Sequence, residues 1–593
     1  MKSKRLPSLL LACAILSGGV LAGCSGGQTN KTSTVSTAGS SAASEAESSE
    51  GKAKLPEDGG FKTVSYELSK DKYRTYYEIF PYSFYDSNDD GIGDLKGITS
   101  KLDYLNDGDT KTTDDLGVEG IWLMPIMESE SYHKYDVIDY KSVDHRYGTI
   151  EDFENLTKEA HKRNINVIID FVINHSSTSC EWFQKAKAEL KAGKTDGYVQ
   201  YYNFAKNKDD SKGWHTAGVG DWYYECEFWE GMPDLNLKNQ KLQKELIDAA
   251  KFWIGKGVDG FRLDAVLWFE KTWADGADND ASVKELKWFY DAVKKEKSDI
   301  YMVGECWENS AIISKFYESG IDSLFDFGSE GSQGRVYRSL NSNDAKGYVE
   351  DIADWQEEIL GKNPKAINTP FLSNHDTARS AGFFMTDTAR KMAAAMYILS
   401  PGNAFVYYGE EIGMTGSGDD PNKRTGMYWS ATDKKGYVPS IPGSKNKDVP
   451  DKAADEQVKD ENSLQTFYRR VIALKNQNPE IARGKATALT IKDQDETAGY
   501  ICDYNNSKVL VMFNLSDKAK ELTIPSDKFK VSEARGYVIA DSGDSDPSGG
   551  NTVDDILGGG SSKSSGDEKE TIKDFDLDGQ KLVMPAYSAI VLK

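Results

Sequence analysis

Three carboxylates end short apolar runs of the chain, at positions from which they could act together. Asp264 follows GFRL, Glu305 follows MVG, and Asp376 closes FLSNHD. If each run is a buried strand of a parallel α/β fold, its last residues emerge at the carboxyl end of the sheet, where such folds build active sites. Carboxylates on either side of a sugar are the usual catalysts of glycosidic bond cleavage. The pattern therefore predicts a pocket for that chemistry.

One arginine and two histidines accompany these carboxylates. Arg262 lies two residues before Asp264. It therefore faces the same side of the strand and would keep that carboxylate ionised. His175 ends the segment DFVINH, and His375 directly precedes Asp376. We expect both histidines beside the carboxylates.

Short apolar runs recur between longer amphipathic stretches over most of the chain, and this alternation indicates a (β/α)8 barrel, the TIM barrel. Eight such runs are present. They are YYEIF (76–80), GIWLM (120–124), NVIIDFV (166–172), GFRL (260–263), YMVG (301–304), SLFDF (323–327), TPFLS (369–373) and AFVYY (404–408).

The spacing of these runs predicts the domain organisation. The barrel would occupy residues 61–483. The long gap after the third run holds an insertion domain, 176–236, in the kind of loop where barrels carry functional insertions. Short alternating runs then predict a C-terminal antiparallel β domain, 484–593. Within it, residues 541–568 are rich in Gly, Ser and Asp and predict a mobile hairpin insertion.

The N-terminus has the pattern of a targeting segment. Basic residues open the chain, residues 7–22 are mostly apolar, and LAGC ends at Cys24. Residues 1–24 resemble a bacterial lipoprotein signal peptide, which implies a lipid on Cys24 and a cell-surface location. A plain secretory signal with an incidental cysteine is the alternative. Residues 25–60 contain few large apolar side chains and predict a flexible tether.

The amino-acid composition narrows the classes of partner that the protein could bind. A formal charge of −23 argues against nucleic acid and anionic lipid surfaces, and favours a neutral substrate. Membrane attachment is therefore expected through the lipid anchor alone. Cys180 and Cys226 could form a disulfide, although free thiols are favoured, and no cysteines have zinc-ligand spacing. The sequence does not determine the oligomeric state, and a monomer is the default expectation.

Four segments, DFVINH, GFRLDAV, VGECW and FLSNHD, closely resemble in this order the hallmark regions of the α-amylase family, glycoside hydrolase family 13. The segments GVEGIWLMP, HKYDVIDY, MPDLN and YYGEEIG look like its auxiliary motifs. The resemblance covers about residues 73–480, and the C-terminal domain is similar to the family's domain C. It implies that Asp264 is the nucleophile, Glu305 the general acid and base, and Asp376 the carboxylate that holds sugar hydroxyls in the transition state.

The same resemblance implies contacts to the substrate, an α-glucan or maltooligosaccharide. His175 and His375 would donate hydrogen bonds to hydroxyls of the sugar being cleaved, and Tyr135 would stack on its ring. Asp136 and His133 are further candidate contacts, but their roles vary among the specificities of the family.

The segment DSNDDGIGD (86–94) offers hard oxygen ligands suited to Ca²⁺. The candidate ligands are Asp86, Asn88, Asp90, Asp94 and the carbonyl oxygen of Ile92. An EF-hand is excluded because its twelfth position, which requires a bidentate Glu, is Gly97. The loop resembles the calcium loop after the first barrel strand of many family members, which implies a structural Ca²⁺. An acidic turn without metal is the alternative.

One departure from the family pattern follows the nucleophile. Many α-amylases carry Lys-His shortly after it, where the pair contacts the sugar on the leaving side and helps to bind another calcium. Leu267 and Trp268 stand there in this chain. The residues that usually help to bind a second calcium are therefore absent. Trp268 is instead a candidate surface on which a sugar could stack.

The motif MPDLN resembles an intermediate form between those of oligo-1,6-glucosidases and neopullulanases. About 50 residues separate Cys24 from the first strand, too few for the N-terminal β domain common in neopullulanases. We therefore favour an α-amylase that cuts internal α-1,4 bonds of starch or maltodextrins. The alternatives are an α-glucosidase, neopullulanase or transglycosylase of the same family, and, from another class, a non-catalytic sugar-binding lipoprotein.

Overall fold

Eight parallel strands form the central sheet of the computed structural model. They are β1 (Tyr76–Ile79), β2 (Gly120–Leu123), β3 (Asn166–Phe171), β4 (Gly260–Leu263), β5 (Tyr301–Gly304), β6 (Ser323–Asp326), β7 (Ile367–Pro370) and β8 (Phe405–Tyr407). Their hydrogen-bonded order is β7-β6-β5-β4-β3-β2-β1-β8. An isolated parallel bridge between Phe371 and Phe405 joins the two ends of the sheet. The predicted (β/α)8 barrel is confirmed.

The interior of the barrel is filled by a layer of large apolar side chains from its strands. This buried cluster contains Tyr76, Trp122, Ile168, Tyr301, Val303, Phe325, Ile367, Phe371 and Phe405. Alternate residues of a strand face the same side. Glu78 and Asp170, two residues beyond members of the cluster, therefore lie in the next layer toward the carboxyl ends of the strands. The apolar layer is the floor beneath that polar layer.

The seventh strand differs from its predicted position. The apolar run suggested residues 369–373, whereas β7 spans Ile367–Pro370. The strand ends at Pro370 because proline has no backbone N–H group that could donate the next hydrogen bond between strands. Phe371 then contributes the isolated bridge that closes the barrel.

Helices surround the barrel and connect its strands. Their bounds are Pro81–Phe84, Leu95–Ser100, Leu102–Leu105, Ile150–Lys162, Gln240–Gly255, Asn279–Glu296, Ser310–Phe316, Arg335–Asn341, Ala345–Lys362, Asp387–Ile398, Asp420–Lys423, Ala454–Gln457, Leu464–Gln477 and Pro479–Arg483. Polar side chains cap the N-termini of several helices. For example, Thr149 and Asp152 form a capping box at the start of the helix Ile150–Lys162.

The segment after β3 folds as a small unit of its own. It contains the helix Glu181–Lys191 and an antiparallel sheet whose strands are Phe204–Lys206, Trp222–Glu225 and Trp214–Val219, in that spatial order. Isolated bridges pair His175 with Asp234 and Tyr202 with Leu235. The bridge between His175 and Asp234 ties the insertion to the segment that follows β3. Cys180 and Cys226 are buried free thiols, so the disulfide alternative is wrong.

The C-terminal region is an antiparallel β domain, as predicted. Its strands are β9 (Lys485–Thr490), β10 (Thr497–Tyr504), β11 (Ser507–Asn514), β12 (Lys520–Thr523), β13 (Ala534–Ile539), β14 (Asp576–Asp578), β15 (Lys581–Met584) and β16 (Ser588–Leu592). One sheet has the order β9-β10-β11-β16-β13 and the other β12-β15-β14.

The structure describes the greater part of the chain. The described residues are 55–61, 66–210, 213–272, 276–439, 441–540 and 574–593. The predicted signal peptide (1–24) with Cys24, most of the tether and the predicted hairpin insertion (541–568) lie outside them. None of the described helices is long and apolar enough to cross a membrane.

The predicted end of the flexible tether, residue 60, needs correction. Glu57–Gly60 form a turn of 3-10 helix. Gly59 and Gly60 have positive φ angles, and their backbone approaches β13 so closely that a Cβ atom would meet carbonyl oxygens of that strand. Leu55 packs against the C-terminal domain. Residues 55–60 are therefore part of the folded structure.

Candidate active site

The predicted carboxylates lie at the carboxyl ends of the barrel strands. Asp264 directly follows β4, Glu305 directly follows β5, and Asp376 lies in the loop after β7. Parallel strands end at one rim of a barrel, which brings these residues together. Asp264 and Glu305 are buried, and the side chain of Asp376 is one-quarter exposed.

Arg262 is fully buried between the carboxylates. Its Nη1 donates to Asp264 Oδ1 at 2.6 Å and to Asp170 Oδ1 at 2.8 Å. Its Nη2 lies 3.2 Å from Glu305 Oε2. A guanidinium in this place favours the charged form of each carboxylate and holds all of them in fixed directions.

Glu305 is also bound to the turn that follows Asp264. The backbone N–H of Ala265 donates to Glu305 Oε2 at 3.0 Å. Ala265 has left-handed backbone angles, φ 51° and ψ 40°, which are strained for a residue with a side chain. Burial raises the pKa of Glu305 to about 7; Arg262 opposes this shift, and Asp264 adds to it. This carboxyl group can therefore carry a proton near neutral pH.

A buried hydrogen-bond network joins Tyr135 to His375. Tyr135 Oη donates to Asp170 Oδ2 at 3.1 Å and lies 2.7 Å from His375 Nε2. The other ring nitrogen of His375 lies 2.6 Å from Glu78 Oε1. Burial lowers the pKa of His375, but Asp376 and Glu78 outweigh burial and raise it to about 9. His375 is therefore a cation at neutral pH and donates from both nitrogens.

Positive groups hold Asp376 in its ionised form. Arg424 Nη2 donates to Asp376 Oδ1 at 2.6 Å, and His375 Nε2 lies 2.9 Å from Asp376 Oδ2. Burial raises the pKa of Asp376, but His375 and Arg424 outweigh burial and hold it well below its usual range. Glu305 can thus hold a proton at a pH at which Asp376 is ionised, which is how two carboxyl groups in one site obtain different roles.

His175 presents a buried donor that has no partner among the described residues. Its Nδ1 lies 3.2 Å from Asn174 Nδ2. An amide nitrogen only donates, so Nδ1 accepts and Nε2 carries the proton. Within the described residues Nε2 has no hydrogen-bond partner. Burial lowers the pKa of His175 to about 4, so the ring is neutral. A buried donor requires a partner, and a substrate hydroxyl would supply one.

His133 and Asp136 lie beside Tyr135, and they form hydrogen bonds with residues of the same loop. His133 Nδ1 accepts from the N–H of Tyr135 at 3.1 Å. Asp136 Oδ1 accepts from Ser129 Oγ at 2.7 Å and also from Ser131 Oγ. These contacts fix the conformation of the loop that carries Tyr135.

Three residues of the network were not among the predicted site residues. Asp170 and Glu78 were visible as charged residues inside apolar runs, which is an unusual place for a carboxylate. Arg424 gave no such signal, because it lies in a polar stretch 48 residues beyond Asp376. Leu267 and Trp268, by contrast, pack against the hydrophobic core.

The acidic loop 86–94 follows β1 and presents oxygen atoms. Asp86 accepts backbone N–H groups of Asn88 at 3.0 Å, Asp89 at 2.7 Å and Gly91 at 2.7 Å. Asp94 accepts from Ser87 and also caps the helix Leu95–Ser100. The type of these ligand atoms, carboxylate oxygens, is the type that a hard cation such as Ca²⁺ prefers.

The loop carboxylates do not converge in the structure. Among the described residues, Glu128, Asp144 and His145 form the one group of three such side chains whose ligand atoms lie within 4.8 Å of one another. Asp144 is already paired with Lys134 at 2.6 Å and Arg146 at 2.9 Å. These two cations oppose metal binding at that second position.

Glycosidic bond cleavage requires a carboxylate that stays ionised and a second that can deliver a proton. Arg262 binds two carboxyl groups, Asp264 and Glu305, and Glu305 can carry a proton near neutral pH. The family model for the alpha amylase catalytic domain matches residues 78–484, more than half of the chain. The chain belongs to the α-amylase family. It is therefore a glycoside hydrolase of family 13, and the resemblance inferred from the motifs is confirmed.

Individual members of the α-amylase family resemble the chain over most of its length. Alpha-amylase 3 of Dictyoglomus thermophilum is 35% identical over 450 residues, which cover 74% of this chain and 84% of that protein. An oligo-1,6-glucosidase of Parageobacillus thermoglucosidasius is 30% identical over 532 residues, covering 76% and 91%. The solved structure of Eubacterium rectale Amy13B matches with a TM-score of 0.79 and 36% identity, covering 92% and 99%.

The raised pKa of Glu305 predicts a loss of activity on the alkaline side. A general acid must be protonated, and Glu305 loses its proton as the pH rises through about 7. We expect kcat/KM for a maltooligosaccharide, measured from about pH 5 to about pH 9, to fall with an apparent pKa near 7.

Glu305→Gln should lower kcat by about 100-fold or more, because general acid catalysis typically contributes at least that factor. Glu308→Gln is the matched control, since Glu308 contacts Asn309 rather than Arg262. A profile of the unmodified enzyme that stays level up to about pH 9 would contradict the assignment of Glu305 as the acid.

Proposed function

We propose that this protein is a retaining α-amylase that hydrolyses internal α-1,4-glucosidic bonds of starch and maltodextrins. The attachment of Asp264 and Glu305 to the two terminal nitrogens of Arg262 carries the proposal. One guanidinium can bridge two carboxyl groups only when they are close neighbours. Retaining glycosidases have their two carboxyl groups about 5 Å apart, whereas inverting ones leave room for a water molecule, so a close pair supports the retaining mechanism.

Asp264 is the nucleophile in this proposal. Its carboxylate attacks the anomeric carbon while Glu305 gives its proton to the glycosidic oxygen, so the leaving sugar departs as a neutral alcohol. Glu305, now a carboxylate, then takes a proton from water. The resulting hydroxide attacks the glycosyl ester and releases Asp264 in its original form.

The other site residues bind and orient the sugar. Asp376 is ionised and one-quarter exposed, so it can accept hydrogen bonds from sugar hydroxyls. His175 offers its free Nε2–H, and the cationic His375 fixes Tyr135 and Asp376. Hydroxyl groups held in this way lose less entropy on the way to the transition state.

Exposed aromatic rings near the site favour a long substrate. Trp307, two residues after Glu305, is half exposed, and its ring stacks on Phe327 with a centroid distance of 5.3 Å. Phe228 is 46% exposed and lies 5.2 Å from the ring of His175. Exposed apolar surface beside a cleft is typical of a binding groove. Exposed rings close to Glu305 in the sequence and beside His175 support binding of a chain longer than the sugar being cleaved.

Other activities of the family remain the second candidate. The relatives include proteins named oligo-1,6-glucosidase as well as alpha-amylase. An α-glucosidase, a neopullulanase or a transglycosylase would use the same carboxylates with a different cleft. A non-catalytic sugar-binding protein is disfavoured, because Asp264, Glu305 and Asp376 are all present and joined in one network.

The products released from soluble starch and from pullulan distinguish these activities. We expect rapid loss of iodine staining with mixed maltooligosaccharides, because an endo-acting enzyme cuts within chains. Glucose alone would indicate an α-glucosidase, and panose from pullulan would indicate a neopullulanase. Asp264→Asn, which keeps the size of the side chain, should reduce every product at least about 1,000-fold. An active Asp264→Asn variant would contradict the nucleophile assignment.

We propose further that the enzyme is a lipoprotein attached to the outer face of a bacterial membrane. The basic start, the apolar stretch 7–22 and Cys24 support this location. Expression in a bacterial host fed with labelled palmitate should label the full chain and leave Cys24→Ser unlabelled. Equal labelling of the Cys24→Ser variant would refute lipidation at this position.

We propose that the loop 86–94 binds a structural Ca²⁺. Asp86, Asn88, Asp90, Asp94 and the carbonyl oxygen of Ile92 would hold the ion. Bound Ca²⁺ would neutralise a dense group of carboxylates and fix the loop that connects β1 to the helix Leu95–Ser100. The ion has no part in the chemical steps.

Calcium should raise the melting temperature of the metal-free protein by a few degrees, because ligand at about 100 times its Kd contributes about 2.7 kcal/mol to the native state. Asp90→Asn is the informative variant. It keeps the oxygen that accepts from the N–H of Ile92 but removes one charge. We expect this variant to lose most of the calcium response, as measured by differential scanning calorimetry. The same melting temperature for the unmodified protein with and without Ca²⁺ would exclude the site.

A further inference from the structure

Lys271 carries a nearly buried ammonium group that is surrounded by three carboxylates. Its Nζ lies 2.5 Å from Asp234 Oδ2, 3.1 Å from Glu227 Oε2 and 3.4 Å from Glu225 Oε1. Burial lowers the pKa of Lys271, but the carboxylates outweigh burial and raise it above its ordinary value. The ammonium group is therefore charged, and it is the shared partner of three carboxyl groups. Burial raises the pKa of one of them, Asp234, to about 7, and Lys271 opposes that shift by favouring the ionised form.

The ion cluster joins two different parts of the chain. Lys271 belongs to the loop after β4, seven residues beyond Asp264. Its three partners lie within the insertion, residues 176–236, at and after the strand Trp222–Glu225. Lys271 thus connects the loop that carries the nucleophile to the insertion that covers the end of β3.

A short relay leads from this cluster to His175. The backbone of His175 pairs with that of Asp234 in an antiparallel bridge. Asn174 Nδ2 lies 3.4 Å from Asp234 Oδ1 and 3.2 Å from His175 Nδ1. A carboxylate only accepts, so Asp234 requires the amide to turn its nitrogen inward. The same orientation gives His175 Nδ1 a donor and leaves the ring proton on Nε2.

We infer that Lys271 is a positioning residue for catalysis. It holds Asp234, and through Asn174 it keeps His175 in the tautomer that presents Nε2–H to the sugar being cleaved. This inference rests on the proposed function, because it assumes that His175 binds that sugar. Without the ammonium group, three carboxylates would face one another unpaired, and they would separate or take up protons. Asp234 would then no longer fix the amide of Asn174.

A neighbouring ion pair provides a matched control. Lys238 Nζ lies 2.5 Å from Glu270 Oε2, in the same region of the fold. The side chain of Lys238 is 63% exposed, in contrast to 10% for Lys271. Glu270 is 14% exposed, so this pair has one exposed partner and is partly screened by solvent. Lys238→Met therefore removes a lysine close to the cluster without disturbing the relay.

The experiment combines kinetics with nitrogen NMR of the full-length protein. Kinetics on a maltooligosaccharide should show kcat/KM about 10-fold lower in Lys271→Met, since a small displacement of a positioned group costs at least this much. Lys271→Arg should restore most of the loss, and Lys238→Met should match the unmodified enzyme. The chain has six histidines, so ¹⁵N-labelled imidazole signals can be assigned to His175 by their absence in His175→Gln.

The NMR signals report the tautomer directly. In the unmodified protein we expect a protonated Nε2 and an unprotonated Nδ1 for His175. In Lys271→Met the two nitrogen signals should approach each other, as in a mixture of tautomers, while Lys238→Met leaves them in place. If the His175 signals do not change in Lys271→Met, the inference is wrong, even if activity falls.

Two further outcomes are distinguishable. If Lys271→Met does not fold, Asp234→Leu decides, because it has a similar side-chain shape but no oxygen that could accept from Asn174. An unchanged His175 tautomer in that variant would overturn the relay. If the unmodified protein releases no product from any glucan, the proposed function fails, while the NMR result still establishes or excludes the control of His175 by Lys271.

Discussion

The site depends on one buried guanidinium that must balance several carboxylates. Arg262 is fully buried and binds Asp170, Asp264 and Glu305. Burying an isolated charge is costly, so neither the arginine nor the carboxylates could remain there alone. The aromatic layer beneath them excludes water, which strengthens each of these electrostatic interactions. The positions of the catalytic groups therefore follow from the electrostatic balance around a single residue, and the barrel supplies the rigid frame.

Local environment then assigns different roles to similar groups. Glu305 is buried next to Asp264 and reaches a pKa of about 7, so it can hold a proton. Asp376 is bound by Arg424 and the cationic His375, and its pKa lies well below the usual range. One carboxyl group is thus a proton donor and the other a permanent acceptor. This difference comes from Asp264 and Arg424, which are distant in the sequence from the groups they act on, and from His375, which directly precedes Asp376.

The loops around the barrel rim need their own buried ion pairs, because loops are more mobile than the strands they connect. Lys134 is fully buried with a left-handed backbone, φ 64°, and its Nζ lies 2.6 Å from Asp144. This pair holds the loop that presents Tyr135. Lys271 holds the opposite loop and the insertion through Asp234. Both ion clusters hold their loops in fixed positions, so the side chains of His175 and Tyr135 keep their orientations.

The sequence by itself determined the barrel, the C-terminal β domain and the family, because strand periodicity and short motifs are local properties. Asp264 directly follows the strand that carries Arg262, so their contact followed from a spacing of two residues. Other contacts depend on tertiary structure: Glu78 meets His375 across 297 residues, and Arg424 meets Asp376 across 48. Such pairs produce no periodic pattern in the sequence. The closure of the barrel and the paths of its loops bring the two residues of each pair together in space. For the same reason, only the fold revealed that residues 55–60 are packed and that β7 ends at Pro370.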